Sequence, residues 1–185
     1  MLPAFLMLAQ DMLFKYAVMV IIAVITHVSS EGLKEKSAAL IIAVLSGVDS
    51  MRHEVITIPD STKNKIHTLA GTSFDDGVVD IFTVYQNGAI VGFGLMDSVR
   101  SKSSSLPFLV ITDNNGEIQS VALLSTPDPR SAKLRSRFWE QQFVGKKEIK
   151  ARHIDAISGA TISSGDITNG VIRLLMYLRI LRTLI

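Results

Sequence analysis

The sequence predicts an α+β fold, a small antiparallel sheet with flanking helices carried behind an N-terminal transmembrane helix. Three observations point to it. Two hairpin patterns follow one another in the middle of the chain, an apolar run stands near the N-terminus, and a helical repeat closes the sequence. Consecutive hairpins pair neighbouring strands antiparallel, and helices then cover the apolar faces of the sheet.

In chain order, residues 12–28 (MLFKYAVMVIIAVITHV) are apolar apart from Lys15 near the start and Thr26-His27 near the end. That is roughly 17 residues, the lower limit for crossing a hydrocarbon core about 30 Å thick. Lys15 can snorkel to the interface and Tyr16 can sit at headgroup level. No clear small-x-small cleavage site follows, so an uncleaved anchor is favoured over a signal peptide. Lys15 precedes the run while Lys34 and Lys36 follow it, so charge counting does not choose the orientation. This divides the chain into an anchor over 1–30 and a domain over 31–185. Residues 37–48 (SAALIIAVLSGV) are apolar all round but too short to span. They predict a helix packed on the domain or lying at the membrane surface.

Residues 60–80 are polar and read as loop or short strands. The period then changes to that of strands. Residues 81–85 and 89–93 flank Gln86-Asn87-Gly88, whose Asn-Gly supplies the positive φ angles of a tight turn. After a Ser-rich connector at 101–105, residues 108–112 and 118–124 flank Asp113-Asn114-Asn115-Gly116 as a second hairpin. Pro127 and Pro129 break the chain. Between 128 and 152, Arg130, Lys133, Arg135, Arg137, Lys146, Lys147, Lys150 and Arg152 outnumber Asp128, Glu140 and Glu148. A solvated helical face is the plain reading; contact with an acidic partner or anionic headgroups is the sharper one. From 167 to about 184, apolar residues recur at Ile167, Val171, Leu174, Leu175, Leu178 and Leu181. Arg173, Arg179 and Arg182 interrupt them, giving a domain helix with a basic end.

Composition bounds the chemistry. The 185 residues are 48% hydrophobic and 19% charged, with a mean hydropathy of +0.34. This suits one membrane segment attached to one soluble domain. A net charge of +2 and 6% aromatics leave no nucleic-acid footprint. Cysteine is absent, which excludes disulfides, zinc-thiolate sites, cysteine-ligated iron–sulfur clusters and thiol nucleophiles. His27, His53, His67 and His153 do not cluster in sequence, so redox chemistry here requires an organic cofactor or a His-ligated metal. His53, His67 and His153 are expected at the surface and His27 at headgroup level. Tyr85, Phe93 and Trp139 are expected in the core.

The informative segment is 153–164, HIDAISGATISS. Ser158, Gly159 and Ala160 are small and let a ligand approach the backbone. Thr161, Ser163 and Ser164 place hydroxyls just ahead of the C-terminal helix, whose start offers unpaired N–H groups and a positive dipole end for a phosphate. Ser163 or Ser164 could equally cap that helix.

Taken together, Asp155-Ala156-Ile157-Ser158-Gly159-Ala160-Thr161 closely resembles the flavinylation motif of the FMN-binding domain in the G subunit of Rnf electron-transport complexes. The same domain occurs in the C subunit of the Na⁺-translocating NADH:quinone reductase. The resemblance implies that FMN is joined as a phosphoester to the Thr161 hydroxyl by a separate flavin transferase. Asp155, Ser158, Gly159 and Ala160 would then complete the recognition motif, with Ser163 and Ser164 beside it. An external enzyme is consistent with the chain, since a Thr hydroxyl is a poor nucleophile and no activating triad is visible.

Trp139-Glu140-Gln141-Gln142-Phe143 and Gly145-Lys146 also stand where the family has equivalents, and Ile157 and Ile162 lean toward the Rnf version. Two segments depart from the family pattern. Ser125-Thr126-Pro127-Asp128-Pro129-Arg130 replaces the usual Glu-Thr-Pro-Gly-Leu-Gly, and Ser103-Ser104-Ser105-Leu106-Pro107 replaces the glycines expected near the second hairpin. By the resemblance, Thr126 and Pro127 would still line a flavin.

The resemblance thus implies a single-pass, extracytoplasmic electron carrier of the cell membrane, a subunit of an ion-translocating ferredoxin:NAD⁺ oxidoreductase. It would work beside other subunits of a membrane redox complex and membrane lipid, and would not turn over alone, as the chain holds no Rossmann fingerprint. Its alternatives are the C-type subunit of the quinone reductase or another flavinylated carrier. From a different class comes a membrane-anchored scaffold that is never flavinylated.

Overall fold

A computed structural model of the chain describes residues 31–70, 77–101, 104–126 and 131–182. The predicted anchor over 12–28, with His27, lies outside them. Among the described residues no helix is long and apolar enough to cross a membrane. The chain divides into two units, Met1–Lys36 and Ser37–Ile185. Of the first, only the helical residues 31–36 are described; the second is the folded domain.

The domain is built on one five-stranded sheet in the order β1-β2-β3-β4-β5, antiparallel throughout. Its strands are β1 (Ser50–Thr57), β2 (Val78–Gln86), β3 (Ala89–Ser101), β4 (Ser104–Asp113) and β5 (Ile118–Leu123). Both expected hairpins form. Asn87 (φ 50°) and Gly88 (φ 75°) make the first turn, which Asp49 ties down by accepting from the Asn87 N–H. In the second turn the Asp113 carboxylate accepts from the N–H groups of Asn115 and Glu117, each at 2.8 Å. The pairing of β3 with β4 runs into the Ser-rich segment, where Ser101 pairs with Ser104.

The part of helix α1 (residues 31–44) that lies in the domain, from Ser37 on, and helix α4 (Thr161–Leu181) meet opposite faces of β3. On the α1 face, Ser37 Oγ lies 3.4 Å from Met96 Sδ, and Ile41 is fully buried. A Cβ on Gly94 would collide with Ile41 Cδ1, and one on Gly92 with Leu45 Cδ1 at 2.7 Å. The Gly-Phe-Gly sequence in β3 therefore makes the seat for α1. The apolar run at 37–48 is thus packed on the domain. On the other face, Phe93, Leu95, Val99, Phe108 and Val110 form the main core with Ile167, Val171, Leu174 and Leu178 of α4.

Three expectations are corrected, and strand β1 was not foreseen. The segment expected to be loop or short strands carries helix α2 (Asp60–Ala70). Asp60 in its first turn suits the helix dipole, and Ile66 alone among its described apolar side chains reaches the core. Edge strand β1 carries Arg52-His53-Glu54 through its middle, which hid its alternation. His53 is half-buried rather than at the surface: it stacks 4.7 Å from Phe82 and its Nε2 lies 2.6 Å from Asp80 Oδ1. Finally, the basic stretch holds no long helix. It is a 3₁₀ turn (Ser131–Arg135), a single α turn α3 (Arg137–Glu140) and a second 3₁₀ turn (Ala151–His153). His153 is exposed, as expected, and Trp139 and Phe93 are core residues; the side chain of His67 is outside the description.

Candidate functional site

Helix α4 starts at Thr161, six residues before the apolar repeat begins. Thr161, Ser163 and Ser164 are therefore in its first turn rather than ahead of it. The physical reason is that hydroxyls replace apolar contacts in holding these turns. Ser164 Oγ donates to the Thr161 carbonyl at 2.9 Å, and Thr168 Oγ1 to the Ser164 carbonyl at 2.7 Å. The expected serine cap is absent. Ala160 stands at the N-cap, with no side-chain cap bond. Thr161 and Ile162 thus sit where a helix leaves N–H donors without intrahelical partners.

The side chains of this turn separate by face. Ser164 is buried and braces the turn from inside, and Ala160 is buried beneath it. Ser163 is half-buried, whereas Thr161 and Ile162 are exposed. The Thr161 hydroxyl makes one long contact, 3.4 Å to the Ile157 carbonyl. The exposed loop before it turns at Gly159, whose φ of 79° is costly for any residue with a Cβ. Ala160 N–H donates to Ile157 at 2.8 Å and closes that turn.

The loop is held from below by α3 and the residues after it. Trp139, buried, donates its indole N–H to the Asp155 carbonyl at 3.0 Å. The Gln142 side-chain amide accepts from the Asp155 N–H at 2.7 Å. The backbone of Asp155 is thus fixed while its carboxylate stays exposed. Lys133 reaches across from the 3₁₀ turn, its Nζ 3.4 Å from the Ser158 carbonyl. A Cβ at Gly159 would stand 3.3 Å from the same ammonium. Beside the loop lies a cleft of about 440 Å³ bounded by Lys133, Phe138, Trp139, Gln142 and Ile157. Phe138 is 79% exposed. Burial raises the neighbouring Glu140 carboxyl from 4.5 to about 7, with the Arg135 guanidinium acting against that rise.

The structure gathers Asp155, Ser158, Gly159, Ala160, Thr161, Ser163 and Ser164 into one loop and helix start. Thr126 is half-buried three residues beyond β5, beside exposed Ser125, and residues 127–130 of that departing segment are outside the described residues. Lys133, Phe138 and Gln142 were not singled out by sequence reasoning as contributors. Gln142 was visible within the Trp139–Phe143 resemblance, but Lys133 was one of eight basic residues and nothing local distinguished it.

The exposed donors, the nearby ammonium and the glycine turn fit a phosphate. The cleft, with an aromatic wall and an amide at its edge, fits a flat heterocycle. No curated protein matches the chain. Residues 102–176, which take in β4, β5, the loop and most of α4, match the family model of the FMN-binding domain, which supports FMN as the ligand of this region.

Proposed function

We propose that this protein is a membrane-anchored electron-transfer subunit that carries FMN phosphoester-linked to Thr161. The observation that carries the reading is the placement of the Thr161 hydroxyl: exposed, first in α4, and 3.4 Å from Ile157, a wall residue of the cleft. Thr161 would hold the phosphate, Lys133 and the first-turn N–H groups would balance its charge, and the exposed Phe138 would flank the ring. The bound flavin would supply the electron chemistry, and the protein its position and potential. Nothing within the loop activates the hydroxyl, so a flavin transferase is required, and Asp155 with exposed Ser158 and Gly159 offers that enzyme a rigid recognition surface.

The cell context of this reading follows the resemblance. Residues 1–30 anchor the chain and the domain faces the extracytoplasmic side, among other subunits of an Rnf-type ferredoxin:NAD⁺ oxidoreductase coupled to Na⁺ or H⁺ movement. The corresponding quinone-reductase subunit is the same chemistry in another complex. A non-flavinylated scaffold is the reading favoured by the loss of the Gly-Leu-Gly segment at 128–130.

The test is intact mass and in-gel flavin fluorescence after denaturation, on protein co-produced with a flavin transferase, beside Thr161→Val. The expected result is a mass raised by one FMN less one water, with mass shift and fluorescence both lost in the variant. Unmodified wild type, with the transferase active on a control substrate, would leave the scaffold as the working reading.

A further inference from the structure

A second concavity lies at the other end of α4. It measures about 530 Å³ and sits between the C-terminal half of the helix, the β4–β5 turn and residues 147–151. Along the helix axis Thr161 and Met176 are roughly 22 Å apart, at 1.5 Å per residue. One ribityl linker from Thr161 does not reach that far, so this groove is separate from the flavin site and does not depend on it.

Its lining is divided in a way that specifies a ligand. The floor is apolar: Ile149, Ile172, Leu175 and Met176, all buried or half-buried. Lys147, Lys150 and Arg182 stand exposed on the rim. The sole acid lining it, Glu148, is already engaged by Arg179 at 3.2 Å. Among the described residues, Lys147, Lys150 and Arg182 have no acidic partner. A Cβ on Gly116, at the foot of the β4–β5 turn, would come 3.2 Å from Arg182 Nη1, so that turn packs close beneath the guanidinium. The volume lies within the roughly 300–1,000 Å³ of small-ligand clefts.

We propose that this groove binds an amphiphilic anion, with its phosphate or carboxylate head on Lys147, Lys150 and Arg182 and its apolar body on the Ile149–Ile172–Met176 floor. A purely apolar ligand would leave three cations facing it without counterion. A small inorganic anion would leave the floor in water. The head can belong to a soluble amphiphile or to a lipid, and the chemistry is shared.

The test uses the full chain in phosphatidylcholine nanodiscs with carbon-13-labelled methionine methyls. Met176 is assigned through Met176→Leu, and Met96, buried on the opposite face of the sheet, is the internal reference. Hexyl phosphate, monomeric in water, is expected to shift the Met176 methyl saturably and leave Met96 in place. Hexyl glucoside and inorganic phosphate should bind at least about tenfold more weakly. Combining Lys150→Glu with Arg182→Glu should raise the hexyl phosphate Kd about tenfold or more, with the Met96 resonance showing the fold intact. Enriching the nanodiscs in phosphatidylglycerol is the second arm. The same Met176 shift there makes a lipid headgroup the source, and a shift from hexyl phosphate alone makes it a soluble amphiphile. No Met176 shift in either arm, equal binding of the glucoside, or unchanged binding by the charge-reversed protein would overturn the proposal.

Discussion

The two ends of α4 solve opposite problems with one helix. From Ile167 onward the helix is core: Ile167, Val171 and Leu174 are fully buried, and Gly170 lets it approach β3 and β4. Within this stretch Arg173 is buried too, its Nε 3.2 Å from Asp97 Oδ2 of β3 and its Nη2 closer still to the same oxygen. It was expected to contribute to a basic helix end; instead it locks helix to sheet. The first turn is the reverse, with Thr161 and Ile162 in solvent and no side-chain cap. The candidate attachment hydroxyl is thereby held by a rigid element whose anchoring lies far from it. Anchoring and the candidate attachment point are carried by different residues and can be separated by substitution.

Arg173→Met should break the anchored end most severely. It removes the guanidinium that pairs with the Asp97 carboxylate between helix and sheet, a loss of about 3–5 kcal/mol, read as a lower urea midpoint. Gly170→Ala comes next. Its Cβ would stand 2.7 Å from Phe108 Cζ and 3.0 Å from Val99 Cγ1. Overpacking of about 1–3 kcal/mol then exceeds the helix propensity gained, and the same denaturation curves measure it.

Trp139→Phe tests the bridge between core and loop. It removes the indole donor to Asp155 and should cost about 1 kcal/mol. Flavin incorporation by the transferase should fall with it, because the recognition loop loses its support.

Glu140→Gln probes the same bridge through pH. Burial holds the Glu140 carboxyl up to about 7, so the fold prefers its neutral form. That contribution is complete below the ordinary value of 4.5 and is lost as pH rises through 7. Wild type should therefore lose stability between pH 5 and 8 by about 1 kcal/mol more than the Gln variant, after discounting for solvent at a half-exposed site. Equal pH slopes in urea titrations would show that Glu140 is not held neutral.

Thr161→Val completes the comparison at the free end. Stability should stay within about 0.5 kcal/mol of wild type, while covalent flavin disappears entirely. If unfolding shifted by several kcal/mol instead, the first turn would be structural and the division between the two ends of α4 would fail.

The hairpins and the loop motif were legible from sequence because each is a local device. Asn87-Gly88 and Asp113–Gly116 bend the chain through their own backbone preferences, and the residues from Asp155 to Thr161 are contiguous. Helix α2 was not legible, since its described contact with the core is Ile66 amid Lys, Asn and His. Strand β1 was hidden because an edge strand tolerates Arg52, His53 and Glu54 in succession. The start of α4 escaped because hydroxyl back-bonding, which has no hydrophobic period, holds its first two turns.

By itself, then, the sequence determined an antiparallel sheet with flanking helices, the absence of thiol chemistry and the position of the candidate attachment residue. Tertiary structure decided which face α1 covers, that Arg173 is a buried partner of Asp97, that Trp139, Gln142 and Lys133 hold the loop, and that a basic-rimmed groove lies at the far end of α4. The physical reason is range. Turn preferences and motif spacing act over a few neighbouring residues, whereas burial, ion pairing across 76 positions of chain and the shape of a groove exist only once distant segments are packed together.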